Sequence, residues 1–271
     1  MNRFDLKDRV VVVTGGLGQL GHAFAVGLAD EGANVAVFDL TDDRARIHAR
    51  YGDRLDDPRL IFVKADVTSR QSLQEGLDQV IEHWGVVPHG LINNAGIDTT
   101  PDAPPEVSGP FEQFPEEVFD KVMTVNTKGV VLCCQVIGGA MADAKRGSIV
   151  NVGSIYGVVS PDQSLYEDRR RNGEVFFKPA AYSVSKSALY NLTRYLATYW
   201  APNGVRTNIV TSAGVFNGQN EGFQQRYRPK VPLGRMAEAD EYVGGVIFLL
   251  SDASSYMTGA NLVMDGGFTA W

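Results

Sequence analysis

The chain is poor in cysteine, has no excess of basic charge and contains no apolar run near the roughly 20 residues that a bilayer span needs. Its two cysteines, Cys133 and Cys134, are adjacent in an apolar stretch that reads as helix. That arrangement suits neither a disulfide nor a metal cage, so both are expected in the core of a protein kept in a reducing compartment, with no metal site. Against 32 acidic residues stand 25 basic ones, a formal charge of −7 that would repel polyphosphate and argues against nucleic acid as a partner. The first nine residues include several charged ones and lead straight into an apolar strand, which predicts no secretion signal, no membrane association and a soluble, cytoplasmic protein.

What remains is a 271-residue chain, 44% apolar, with 29 glycines and 12 prolines, enough for one large globular domain with many tight turns. Short β-branched runs at 10–13, 35–38, 60–63, 90–92, 148–152, 205–210 and 261–264 alternate with segments of helical period at 19–31, 69–84, 121–144, 182–201 and 239–251. Strands apolar on both faces, separated by helices, predict an α/β fold: a doubly wound, mostly parallel sheet of about seven strands spanning 1–271 as one domain. Two stretches break the repeat. Residues 98–115 carry five prolines, and 160–179 form a polar insert containing Arg169, Arg170 and Arg171. Both follow strand ends, where the ligand crevice of an open parallel sheet lies.

The first strand runs into Thr14-Gly15-Gly16-Leu17-Gly18-Gln19-Leu20-Gly21. Glycines in a strand-turn-helix setting let the backbone close on a pyrophosphate at a helix N-terminus. Asp39 ends the second strand 18 residues after Gly21, placed to accept hydrogen bonds from an adenosine ribose and to repel a 2′-phosphate, which favours NAD over NADP. Asp66, after the third strand, is placed either for the adenine amino group or as an N-cap of the next helix. Tyr182 has Lys186 four residues on, sharing a helix face. A lysine ammonium and an oxidised nicotinamide would both favour the phenolate, making an acid-base pair. Ser154 follows the fifth strand, Asn94-Ala95-Gly96 ends the fourth, and Asn126 sits inside a helical stretch, where an amide is unfavourable without a purpose.

In this order and on these elements, the residues resemble the short-chain dehydrogenase/reductase family, over nearly the whole chain. The resemblance implies a Rossmann-type fold with NAD bound by Gly15, Gly18, Gln19, Leu20, Gly21, Asp39, Leu40, Asp66, Val67, Asn94, Ala95, Gly96, Tyr182, Lys186, Gly214 and Val215. It also implies a catalytic tetrad. Tyr182 would exchange the hydroxyl proton and Ser154 orient the reacting oxygen; Lys186 would lower the phenol pKa and hold the nicotinamide ribose, and Asn126 would hold a water on the proton path. A homotetramer packed through faces of 121–144 and 182–201 is expected, with a dimer as second choice.

Three departures from the family pattern bear on the chemistry. Gln19 stands where compact members have glycine, a spacing shared with nucleotide-sugar epimerases and dehydratases, and Ser212-Ala213-Gly214 stands where Pro-Gly is usual. Ser154 and Tyr182 are 28 residues apart, about twice the family's habit, because of the arginine-bearing insert. Arg169, Arg170, Arg171 or Lys178 would then reach an anionic group on the substrate. Stretches such as 156–161 and 231–236 are similar to members from bacterial surface-sugar and sugar-acid pathways, so a sugar-like substrate is expected, with Asp98, Ser154, Tyr156, Asn217 and Gln219 as further contacts and 216–229 as a lid. The leading expectation is an NAD-dependent oxidoreductase; an epimerase or dehydratase that retains NAD is the alternative.

Overall fold

The computed structural model describes residues 2–99 and 107–271, so part of the proline-rich stretch 98–115 lies outside the described residues. Seven strands form one fully parallel sheet in the order β3-β2-β1-β4-β5-β6-β7: β1 Val10–Thr14, β2 Asn34–Asp39, β3 Leu60–Lys64, β4 Gly90–Asn93, β5 Gly147–Val152, β6 Val205–Ser212 and β7 Asn261–Met264. Alternation along each strand divides the core in two. Val10 and Val12 of β1 face one apolar cluster, and Val11 and Val13 face the other. The first cluster is closed by α3 (Arg70–Trp84), α4 (Glu116–Asp143) and α6 (Ala180–Trp200) through Leu73, Ile137 and Leu189. The second is closed by α1 (Gln19–Asp30), α2 (Arg44–Tyr51) and α8 (Val243–Leu250) through Phe24, Ile47 and Val246. Each such fully buried side chain stabilises the fold by ~1.5–3 kcal/mol before the entropy of ordering it is subtracted.

The α4 helix is 28 residues long and apolar enough, by length and composition, to cross a membrane. In this fold its Val130, Cys133, Cys134 and Met141 pack into the first cluster, against the sheet. Two of its turns widen to a π pattern, at Thr124–Lys128 and Cys134–Gly138. The first carries Asn126 and rotates its amide toward the loop that follows β4, a local irregularity of the sort found at functional sites.

β1 lies between β2 and β4, so the chain leaves the sheet centre in both directions from there. The crevice opens at the carboxyl ends of β1 and β4. Over it sits a small cap. The insert 160–179 supplies Leu165, Tyr166 and Phe176 and contains α5 (Glu167–Arg171); the segment after β6 contains α7 (Glu221–Tyr227) and supplies Phe223 and Tyr227. These side chains form a third, much smaller apolar cluster with Val231 and Met236.

Candidate active site

The turn after β1 is held by its neighbours before any ligand is considered. Thr14 Oγ1 accepts the N–H groups of Asn94 and Ala95 at 3.1 Å each, and Asn94 Nδ2 donates to the carbonyls of Thr14 (3.0 Å) and Gly15 (3.1 Å). Gly15 adopts φ +64°, and a Cβ there would sit 2.8 Å from Ala95 Cα. At Gly18, the N-cap of α1, a Cβ would meet only the Gly15 carbonyl, at 3.2 Å, and no side chain caps the helix. The first-turn N–H groups therefore face an open cradle of the shape a pyrophosphate fills.

A cavity of about 560 Å³ runs from this turn along the strand ends. Of the sixteen residues expected to hold NAD, all but Gly21 and Gly214 line it. Gly21 lies behind the turn, where a Cβ would come within 2.2 Å of the Gly15 carbonyl, and Gly214 borders the neighbouring cavity. Asp39 accepts the N–H of Leu17 (2.9 Å) on one carboxylate oxygen and of Leu40 (2.8 Å) on the other, and each keeps a lone pair for a ribose hydroxyl. Ser69, not Asp66, caps α3; Asp66 folds its own turn by accepting from the backbone and hydroxyl of Thr68, and it still lines the cavity. The donors and acceptors present thus fit a dinucleotide.

Beside it lies a second cavity of about 230 Å³, bordered by Ser154, Tyr156, Lys178 and Gln219 from the sequence expectations. Tyr182 and Asp98 line both cavities. Asn217 lines the first instead. Tyr166, Phe223, Tyr227 and Met236 complete the second wall, and none of them was singled out from sequence.

Tyr182 and Ser154 both line the smaller cavity, and Lys186 Nζ, buried, donates to the Val152 carbonyl at 2.8 Å. Burial holds the Lys186 ammonium down to about 8. On the protein's own groups, burial and the Asp98 carboxylate push Tyr182 upward, with only Ser154 pulling the other way, so Lys186 by itself does not make the phenol acidic. The Lys186 ammonium is 5.8 Å from the Tyr182 ring centre, farther than Lys178 at 5.1 Å, and desolvation outweighs attraction at that range. Asn126 donates both amide hydrogens, to the Ile97 carbonyl (2.9 Å) and Ser185 Oγ (3.1 Å), and accepts the Ile97 N–H (2.8 Å). It clamps the loop leading to Asp98, and a water would find only one remaining lone pair on it.

The arginine expectation is also corrected. Arg169 pairs with Glu174 over the Phe176 ring, Arg170 donates to the carbonyls of Gln163 (2.8 Å) and Phe176 (3.2 Å), and Arg171 pairs with Glu167 at 3.0 Å on the surface. None lines either cavity. The insert's ionic contacts instead fasten the cap: Asp168 pairs with Arg226 at 2.6 Å, and Asp162 pairs with Lys230. Gln219 braces its own loop through Asn217 and Val215, and Gln19, the residue in the glycine position, donates to the Phe216 carbonyl at 2.6 Å, tying the phosphate turn to the start of the lid.

Strand order, glycine turn and a tyrosine shared by two cavities define a dinucleotide-dependent oxidoreductase of Rossmann type. A family model described as enoyl-(acyl carrier protein) reductase matches residues 18–269. The chain belongs to the short-chain dehydrogenase/reductase family. It is 29% identical over 271 residues to an NAD-dependent glycerol dehydrogenase of Listeria innocua, covering 98% of this chain and 96% of the relative. A short-chain dehydrogenase of Leptospira borgpetersenii solved with bound NAD+ superposes with a TM-score of 0.83 at 34% identity, over 98% and 94% of the two chains. A gluconate 5-dehydrogenase of Burkholderia cenocepacia, in complex with NADP and tartrate, gives 0.83 at 25% identity, over 100% and 98%.

Proposed function

We propose that this protein is a cytoplasmic NAD-dependent dehydrogenase that moves a hydride between nicotinamide and a secondary alcohol, ketone or lactol carbon of a small polyol or sugar-like substrate. One observation carries the reading: Tyr182 stands at the junction of a dinucleotide-shaped cavity and a smaller one that it shares with Ser154. The similarity to a glycerol dehydrogenase and to a structure holding NAD+ supports substrate and cofactor. Asp39 supports NAD over NADP, since a 2′-phosphate would meet its carboxylate. The second cavity offers no uncommitted guanidinium among the described residues, which supports a neutral polyhydroxyl compound over an anion.

NAD+ held by the glycine turn, Asp39 and Lys186 would supply the hydride acceptor and a positive charge that favours the Tyr182 phenolate. In the oxidation direction Tyr182 takes the carbinol proton, while Ser154 holds the same oxygen and keeps it within reach of the phenol. Lys186, anchored on Val152, keeps donor hydrogens for a ribose hydroxyl, and Asn126 fixes the Ile97 backbone that forms the wall opposite. Cap closure over the substrate excludes water from the transfer.

We also propose a homotetramer: Tyr195 and Tyr199 on α6 are exposed and stacked at 5.7 Å, an apolar face suited to a second copy, and light scattering in solution checks it. The activity is tested by following NADH formation with a panel of polyols and aldoses, with Tyr182→Phe as control. Net NADH that disappears in the variant is the expected result. Tightly retained NAD with no net reduction would mark the epimerase or dehydratase reading instead.

A further inference from the structure

Lys178 is the least expected charge in the molecule. It arises from the far end of the insert, its side chain is 3% exposed, and its ammonium donates at 2.6 Å to both carboxylate oxygens of Asp98 and to the Thr99 carbonyl. An ammonium has three hydrogens, so all are engaged and none remains for substrate. Asp98 is different. Its Oδ1 accepts from Lys178 and from the Thr99 N–H (2.7 Å), whereas Oδ2, among the described residues, accepts from Lys178 alone and keeps a lone pair. Its side chain is 39% exposed, borders both cavities beside Tyr182, and is the one carboxylate among the described residues lining the smaller cavity. Two other polar groups there are engaged with backbone: the Tyr227 hydroxyl accepts the Gly214 N–H at 2.7 Å, and the Gln219 amide braces its loop.

We propose that Asp98, fixed by Lys178 through its carboxylate and by Asn126 through its loop, is a specificity-determining residue that accepts a hydrogen bond from the hydroxyl on the carbon next to the reacting carbinol. Vicinal diols are thereby selected over simple alcohols. The selection follows from two facts on the acceptor: it is charged, so the bond it makes is a strong one, and a substrate without the second hydroxyl leaves it unpaired in a partly desolvated site. Lys178 acts through Asp98 and holds its orientation, so it is a positioning residue. The inference rests on the dehydrogenase reading above and names the substrate class of that site.

The experiment compares kcat/KM for vicinal butanediol and for sec-butanol, which lacks one hydroxyl, in the wild type, in Asp98→Asn and in Asp98→Asn/Lys178→Gln, with NADH affinity and thermal melting measured on each. The double variant leaves a neutral pair, so Lys178 is not stranded without a counter-charge. The wild type is expected to prefer the diol by roughly 10- to 100-fold, the worth of one hydrogen bond to a charged acceptor. Both variants are expected to lose most of that preference through KM for the diol while still binding NADH. A preference that survives in a folded, NADH-binding double variant overturns the assignment, as does a wild type that treats both alcohols alike. A wild type that forms NADH with no alcohol or sugar in the wider panel overturns the dehydrogenase reading itself.

Discussion

The floor of the active site and its cap are built on different scales. Tyr182, Ser154 and Lys186 stand beside a sheet whose two faces are sealed by large clusters of buried side chains, and Lys186 is anchored on the carbonyl of Val152 in β5. The cap over them is held by seven buried residues and by ion pairs that are partly in water, Arg226–Asp168 and Lys230–Asp162 among them. Packing on the first scale fixes atoms to the accuracy that proton and hydride transfer need. The second scale is small enough to open locally without global unfolding, as substrate entry requires. The two parts meet at Asp98–Lys178 and at Gln19–Phe216.

The sharpest break in this contrast comes from the floor. Tyr182→Phe removes one oxygen from a packed ring and is expected to lower kcat on the order of 10²–10⁴-fold, the range of a lost general acid-base group, with NADH binding and melting temperature held. Stopped-flow hydride transfer and a binding titration on the same variant check it. Loss of cofactor binding together with activity would mean that the phenol is structural.

Phe223→Ala tests the cap. Phe223 stacks near Tyr227 at 5.7 Å and lies 5.7 Å from Tyr166, bridging insert and lid. Truncating a buried phenylalanine costs ~3–5 kcal/mol when the whole fold feels it. If the cap is separable, that loss appears as faster proteolysis within 160–179 and 216–230 and a raised KM for substrate, with the urea midpoint of the remainder little moved. A fall of the global midpoint by the full amount would make floor and cap a single cooperative unit.

The line between the two parts is also where sequence reasoning stopped. All seven strands and the place of the glycine turn were readable because period-two and period-3.6 patterns are local, and Tyr182 with Lys186 because an i,i+4 pair on a helix needs no tertiary information. Arg170 shows the limit. A run of three arginines advertises charge, but the carbonyls of Gln163 and Phe176 that satisfy it are brought there only by the folded insert. Tyr166, Phe223 and Tyr227 were missed for a related reason: α7 has seven residues and α5 five, too short for an apolar stripe to announce which side faces a cavity. Lys178 was expected near substrate as a free cation, and its partner Asp98, 80 positions earlier, turned it into a fixed brace.

A smaller effect is expected at the adenosine end of the floor. Asp39→Ala removes the carboxylate that borders the ribose position, and kcat/KM for NADP relative to NAD is expected to rise by roughly tenfold, equivalent to about 1.4 kcal/mol of relieved like-charge repulsion. Parallel kinetics with the two cofactors check this. An unchanged ratio would place the discrimination on another residue.

The smallest expected effect separates the two parts by acid. The Lys230 ammonium beside Asp162 and the Ser164 N–H hold that carboxyl down to about 2, against an ordinary value of 3.8. A group depressed in the folded state contributes its stability in full above the ordinary value and loses it as the pH falls through the lower one, so the Asp162–Lys230 tie should be intact from neutral pH to about 4 and fail between there and about 2. Both partners are partly in water, which screens the tie and keeps its share of global stability small. The expected sign is therefore local: Asp162→Asn should loosen the cap at neutral pH, read as faster amide hydrogen exchange in 216–230, and should remove the difference between cap exchange at pH 4 and at pH 2.5 once intrinsic rates are divided out. Exchange in β1 and β4 should follow the wild type throughout, because nothing in the floor depends on that pair.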